Sequence, residues 1–397
     1  MILPEAGWRT RADLIRLTDA LGAGDGLVRY VGGAVRDTLL GLPVSDLDLA
    51  TSLLPDDVSR RVRTAGFKAV PTGIAHGTVT AVLPSGPVEV TTLRRDVETD
   101  GRRAMVAFTD DWREDAARRD FTINALSADP GDGRIHDYFG GAEDVKTGLV
   151  RFIGDPLARI AEDHLRILRF FRFHARFGQG TPDAAGLAAC TERANDLMAL
   201  SRERIAQELF KLLAVDDPVP TVALMVAHGI FTPVLPEIDA DGAVRLGRLV
   251  TRERVLGGDA VRRLAALLPP DPDQADQIGA RLKLSKAQRK RLAIAAQPGE
   301  PGPARKLAQA IGMDAARDRL LLRSADPAEG LTALDGWTPP RLPIGGGDLV
   351  ALGLSAGPLV AATLQAVERQ WVDEDFPGVA RVREIAGEKV AQALRSR

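Results

Sequence analysis

The sequence contains a single cysteine, Cys190, among 397 residues. A lone thiol excludes an internal disulfide framework and a cysteine-built zinc site, and it fits a reducing cytosol. The sequence also lacks any uninterrupted apolar run near the roughly 18 residues that a membrane-spanning helix needs. Its first residues carry Glu5, Arg9, Arg11 and Asp13, not the apolar core of a secretion signal. These absences predict a cytoplasmic protein with no membrane association. Nor is there an excess of either charge: 52 Lys and Arg stand against 54 Asp and Glu, for a net charge of -2. A chain so nearly neutral can hold a polyanion only through a local positive surface. There is no internal repeat, no low-complexity tract and no feature that calls for an obligatory protein partner.

What is present is ordinary globular composition, 45% apolar and 27% charged. Single cores stop growing at about 250–300 residues, so the length predicts two to four structural units. The first third reads as mixed α/β. Trp8 to Leu21 has helical spacing, and Leu27 to Val31 reads as a strand ending at Gly32-Gly33. Ala34 to Leu40 reads as a helix stopped by Gly41 and Pro43, and Asp46 to Thr51 as a strand. Val79 to Leu83 and Val88 to Leu93 form a hairpin pattern around Pro84-Ser85-Gly86-Pro87. The charged stretch from Arg95 to Asp111 reads as a long flexible loop. From Asp155-Pro156, a helix-start signal, nearly everything that follows reads as helix.

Two constellations carry chemistry. The first is Val31-Gly32-Gly33-Ala34-Val35-Arg36-Asp37 followed by Asp46-Leu47-Asp48. Residues two apart on a strand share a side, so Asp46 and Asp48 are expected to converge. Two acceptor-only carboxylates at one point call for a cation, and Mg2+ prefers oxygen ligands and shares them with substrate phosphates. Two such ions could activate an attacking 3′-hydroxyl and neutralise a leaving pyrophosphate. The glycines let backbone N–H groups approach a triphosphate at a helix start, and Arg36 is placed to clamp phosphate or ribose. An Asp-x-Asp pair alone is commonly a polar strand edge, and a Gly-Gly is commonly a plain turn. Their joint occurrence with the arginine is what points to phosphate and metal.

The second constellation is Glu162-Asp163-His164-Leu165-Arg166-Ile167-Leu168-Arg169-Phe170-Phe171-Arg172. Read as one helix, it places Asp163, Arg166, Arg169 and Arg172 in a strip of neighbours, with Ile160, Ile167 and Phe171 facing a core. The plain alternative is a solvated helix with internal ion pairs. The chemical reading is that Asp163 accepts from the exocyclic amine of cytosine or adenine, while Arg166 donates to the unprotonated ring nitrogen beside it. Uracil and guanine fail both contacts, and one bidentate pair of this kind discriminates by about 1–3 kcal/mol.

With Glu114 to Leu126 and the run Ser201-Arg202-Glu203-Arg204-Ile205 with Glu208, these motifs resemble, in order, the bacterial class II tRNA nucleotidyltransferase and poly(A) polymerase family. The resemblance is close over residues 27 to 235 and looser beyond. It implies an α/β nucleotidyltransferase head followed by an all-α neck, body and tail. The expected ranges are a catalytic head at 1–150, a neck with the base-selecting helix at 151–230, and tRNA-binding body and tail at 231–330 and 331–397. It further implies that Asp46 and Asp48 hold metal and catalyse, and that Gly33, Arg36 and Arg119 contact nucleotide. Asp163 and Arg166 would select CTP and ATP, with Arg169 and Arg172 as further nucleotide contacts. Ser201 to Glu208 would support the pocket, and the Arg95–Asp111 segment would bear on the switch from C to A addition. No His/Asp set for an appended phosphohydrolase is visible; His136-Asp137 is an isolated pair.

The expected activity is addition of CCA to the tRNA 3′ end. The alternatives are a poly(A) polymerase, a CC-only or A-only enzyme, an inactive RNA-binding protein and a metal-dependent glycosyltransferase. Intact Asp46 and Asp48 argue against the inactive protein, and the template motif has no use in a glycosyltransferase. The run Arg281 to Arg291 contains six cations and no acid, and is the candidate contact with tRNA phosphates.

Overall fold

The computed structural model describes residues 1–73, 76–99, 104–254 and 256–395. It divides into two compact units, Met1–Pro236 and Glu237–Arg397.

Among the described residues the first unit is built on nine strands: β1 (Val28–Val31), β2 (Asp48–Thr51), β3 (Lys68–Gly73), β4 (Thr78–Leu83), β5 (Gly86–Thr92), β6 (Arg94–Thr99), β7 (Ala104–Phe108), β8 (Ser127–Ala128) and β9 (Ile135–His136). Seven form one sheet in the order β3-β4-β5-β2-β1-β8-β9. Only β2 and β5 run parallel, so that Asp48 lies opposite Glu89. The hairpin pattern becomes β4 and β5, joined with Leu83 opposite Gly86.

Strands β6 and β7 form a separate antiparallel ribbon where a flexible loop is expected from the charged sequence. A two-stranded ribbon satisfies its backbone between its own strands and needs no buried apolar face; residues 100–103 of the segment lie outside the described residues. The expected first helix is shorter, Ala12–Ala20, because the chain at Arg11 is still extended. Trp8 is instead buried by a hydrogen bond from its Nε1 to Thr38 Oγ1 (3.1 Å).

Helices take over after residue 155 as expected. Asp155 accepts from the Ala158 N–H at 3.1 Å and Pro156 follows, so the start signal works as read. The helix Arg166–Phe177 is held by aromatic packing against Phe121 and Phe152, which pair in an isolated bridge outside the sheet. Phe121 lies 4.9 Å from Phe152 and 5.3 Å from Phe173, and Phe152 stacks on Phe170 at 5.6 Å. Each such ring, fully buried, contributes about 1.5–3 kcal/mol.

The second unit is entirely helical among the described residues. It has one apolar cluster around Ala308, Ala316 and Leu320 and another around Val367, Trp371 and Ile385. No helix of the structure is long and apolar enough to cross a membrane, among the described residues.

Candidate active site

Strand β1 ends in a turn suited to glycine. Gly32 has φ +64° and ψ −121°, and a Cβ there would lie 3.1 Å from an Arg119 guanidinium nitrogen. Its own N–H is taken by the Leu126 carbonyl at 3.0 Å. The donors left for an anion are therefore the first N–H groups of the helix Gly33–Leu39, starting at Gly33 itself.

Asp46, Leu47 and Asp48 alternate out, in, out: Leu47 is buried and both acids are open to the same cleft. Asp48 opens β2 and Asp46 just precedes it. The Asp48 carboxyl is pushed above the ordinary carboxylate range, first by desolvation in the cleft, then by Glu89 and Asp46; Arg119 opposes this. The position thus holds more negative charge than the surrounding cations relieve. Among the described residues no three His, Cys, Asp or Glu side chains are grouped closely enough to hold a metal by themselves. A cation at Asp46 and Asp48 would have to complete its shell from other oxygens. That suits Mg2+, which commonly takes one or two carboxylates together with substrate phosphates and water.

Arg36 is more buried than its expected clamping role suggests, at 6% exposure. It donates to Asp37 Oδ1 at 2.8 Å and to the Asn124 side-chain oxygen, and its guanidinium lies 4.0 Å from the Phe177 ring centre. Burial lowers its pKa despite Asp37. Arg119 reaches Asp115 Oδ2 and the Asn124 carbonyl, each at 3.3 Å. Arg169 grips Asp120 Oδ2 from two nitrogens, at 2.8 and 2.5 Å, and Arg172 donates to Glu208 Oε2 at 2.5 Å. Burial alone would raise Asp120, but Arg169 and Asn124 outweigh it and hold the carboxyl below its usual range. Each arginine is thus anchored by a carboxylate or amide behind it.

Asp163 and Arg166 do not lie on one continuous helix, contrary to the expectation from their spacing. Glu162 ends one helix, Pro156–Glu162, and Arg166 begins the next; Asp163 between them is extended, at φ −152° and ψ 105°. Its carboxylate accepts from the Leu165 N–H at 3.1 Å, which is a reason for the break, since a side chain bonding local backbone competes with helix. Asp163 pairs not with Arg166 but with Arg204, at 3.0 and 2.7 Å. Arg166 instead bonds Glu162, the Arg159 carbonyl (2.8 Å) and the Arg118 carbonyl (3.3 Å). The apolar side is as expected, with Ile160, Ile167 and Phe171 fully buried.

All nine residues singled out from the sequence, Gly33, Arg36, Asp46, Asp48, Arg119, Asp163, Arg166, Arg169 and Arg172, line one cavity of about 880 Å3. The cavity also contains residues that the sequence reading missed, among them Glu89, Arg94, Arg176 and Lys211. Glu89 had a signal, an acid between Val88 and Val90 in an apolar strand. Arg176 and Lys211 had little to distinguish them from solvated helix cations. Outside the site, His136 bonds Asp129 at 2.9 Å, and Asp137 accepts the Phe139 N–H and the Gly141 and Ala142 N–H groups that start the helix Gly141–Thr147. Both are structural.

The expected RNA-contacting run is partly neutralised by acids from other segments. Arg281 meets Glu237, Arg289 meets Asp276, and Arg291 meets Asp318 and Asp259. Lys283, Lys286 and Lys290 remain exposed.

Residues 28–151 match the Poly A polymerase head domain family, and residues 181–241 match the family described as a probable RNA and SrmB-binding site of polymerase A. The mitochondrial CCA tRNA nucleotidyltransferase 1 of Mus musculus is 36% identical over 376 residues, covering 89% of this chain and 85% of that one. The CCA-adding enzyme of Staphylococcus saprophyticus is 40% identical over 185 residues, about 46% of this chain and 45% of its own. The crystal structure of the Bacillus stearothermophilus CCA-adding enzyme in complex with CTP superimposes with a TM-score of 0.78 at 27% identity, covering 97% of this chain and 98% of that one. With an α/β head, a helical remainder and near full-length identity of this order, the chain belongs to the CCA tRNA nucleotidyltransferase and poly(A) polymerase family.

Proposed function

We propose that this protein adds C, C and A in turn to the 3′ end of tRNA, using CTP and ATP and releasing pyrophosphate. The observation that carries the reading is the meeting of the acid pair, the glycine turn and the anchored arginines in one cavity. Its volume is in the range of about 300–1,000 Å3 usual for small-molecule sites.

Asp46 and Asp48 would hold Mg2+, which when bound activates the 3′-hydroxyl and screens the triphosphate. The N–H groups that open the helix at Gly33 face the triphosphate, with Arg36 beneath them. Arg119, Arg169 and Arg172 surround its negative charge. Because Asp115, Asp120 and Glu208 hold those guanidiniums in place, little reorganisation is needed as charge develops.

Base choice follows from what Asp163 and Arg166 have left to offer. A carboxylate has about four lone-pair sites; Arg204 and the Leu165 N–H leave Asp163 room for an exocyclic amine. The five guanidinium donors of an arginine are not exhausted at Arg166, whose Nε and one Nη2 hydrogen stay available for a ring nitrogen. Cytosine and adenine satisfy both groups, whereas uracil and guanine satisfy neither. Residues 231–330 and 331–397 would form the tRNA-binding body and tail. The buried, lone Cys190 agrees with a cytoplasmic protein.

The test is extension of a tRNA transcript lacking its last three nucleotides, with Mg2+ and each nucleotide alone or combined. Two additions with CTP, and a third only when ATP is present, are expected. A long ladder with ATP alone would make the protein a poly(A) polymerase, and a halt at CC would make it a CC-adding enzyme.

A further inference from the structure

The second unit contains a cavity of about 300 Å3 that the catalytic reading does not use. Four arginines line it: Arg245, Arg248 and Arg252 from one face of the helix Ala240–Arg252, and Arg323 from the end of the helix Met313–Arg323. The one acid on its wall is Glu300, which is exposed and accepts the Ala325 N–H at 3.1 Å.

The plain explanation is helix capping, and it accounts for part of the arrangement. Arg245 donates to the carbonyls of Ala266, Leu267 and Leu268 at 2.9–3.2 Å, closing the helix Ala260–Leu267. Arg252 does the same for Leu321, Ser324 and Ala325 at 3.0–3.3 Å, and Arg323 Nε reaches Ala295 at 3.2 Å. A helix C-terminus supplies only about half a negative charge. Three of them with Glu300 do not offset four guanidiniums. Arg323 Nη2 is buried with no hydrogen-bond acceptor, although burying a donor unpaired costs about 1–3 kcal/mol. Burial, and then the nearby charges of Arg245 and Arg319, lower the Arg323 pKa, as expected of crowded cations. Arg248 is exposed at the same cavity.

We propose that this cavity binds a phosphate group, and that in the working enzyme it takes a backbone phosphate of the RNA substrate. The RNA part rests on the tRNA reading above. A phosphate offers strong acceptors to the idle Arg323 nitrogen and to Arg248 together. The volume is at the low end for a small-molecule site and suits a phosphate better than a whole nucleotide.

Arg248 is the residue to change, because it caps no helix and its side chain is exposed. Arg248→Ala is expected to weaken tRNA binding about fivefold at low salt and Arg248→Glu about tenfold or more. The slope of log affinity against log salt should fall by about 0.9, the value for one phosphate contact. Glu300→Gln keeps the bond to Ala325 and should tighten binding. KM for CTP and kcat at saturating tRNA should not change. Inorganic phosphate should compete with tRNA for the wild type more strongly than for Arg248→Glu. Wild-type affinity and salt slope in both Arg248 variants would overturn the RNA contact. If tRNA affinity and salt slope were unaltered in both variants while phosphate bound the wild type and not Arg248→Glu, the cavity would be a free-anion site and the RNA assignment would fall. The wild type is run through CCA addition in parallel. Failure there would overturn the tRNA reading itself, whereas normal addition with unaltered variants would overturn the cavity alone.

Discussion

Asp163→Ala should separate base selection from folding. The Asp163–Arg204 bridge joins side chains that are 35% and 44% exposed. Exposed bridges contribute about 0–1 kcal/mol, and a local cap such as that on Leu165 adds about 1 kcal/mol. The stability loss should therefore stay within about 2 kcal/mol, a melting shift of a few degrees for a unit of this size. The loss of discrimination should be larger in effect, since one bidentate base contact is worth about 1–3 kcal/mol, or roughly 5- to 150-fold. The ratio of kcat/KM for CTP over UTP, measured by single-turnover incorporation on a tRNA lacking CCA, should fall by that factor. The ATP over GTP ratio, on a tRNA ending in CC, should fall likewise. Arg204→Ala retains the acceptor but frees it to move, so it should cause a smaller fall. Continued exclusion of UTP and GTP by folded Asp163→Ala would place base selection elsewhere. A collapse of the melting temperature would show that the carboxylate is chiefly a structural anchor.

Asp46→Ala or Asp48→Ala should abolish incorporation of every nucleotide while tRNA binding persists; turnover in either would refute the metal assignment. Because the Asp48 pKa is raised in the fold, the native state binds protons more tightly than the unfolded chain. Stability then falls as pH rises from the unfolded pKa through the folded one. Without divalent cation at neutral pH, Asp48→Asn should accordingly melt higher than the wild type, and Mg2+ should raise only the wild-type midpoint. An equal Mg2+ effect on both would refute the site. Glu208→Ala leaves Arg172 without its partner and Arg169 with Asp120 alone, and should cost about 3 kcal/mol in denaturant unfolding; a neutral result would mean that water compensates both guanidiniums. Lys283, Lys286 and Lys290 changed together to alanine should lower the salt slope of tRNA binding, and an unaltered slope would place the RNA elsewhere.

The local pattern of the chain determined a good deal. The turn at Gly32, the alternation of Asp46, Leu47 and Asp48, the β4–β5 hairpin and the Asp155-Pro156 helix start depend on neighbours within a few residues, so sequence spacing was sufficient to find them. The order of the motifs was sufficient to indicate the family. Who pairs with whom was a matter for the tertiary structure. The strip from Asp163 to Arg172 has helical spacing, yet the Asp163 side chain bonds the Leu165 backbone, interrupts the helix and turns to Arg204, 41 residues later. The run Arg281 to Arg291 contains no acid of its own, but Glu237, Asp276, Asp318 and Asp259 are brought to it from elsewhere in the fold and neutralise its arginines. The charge left over is found elsewhere in the same unit, at Arg245, Arg248, Arg252 and Arg323, whose spacing alone does not reveal a shared cavity. Short-range hydrogen bonding and periodicity are written along the chain, whereas electrostatic pairing depends on distances that exist only after the core has closed.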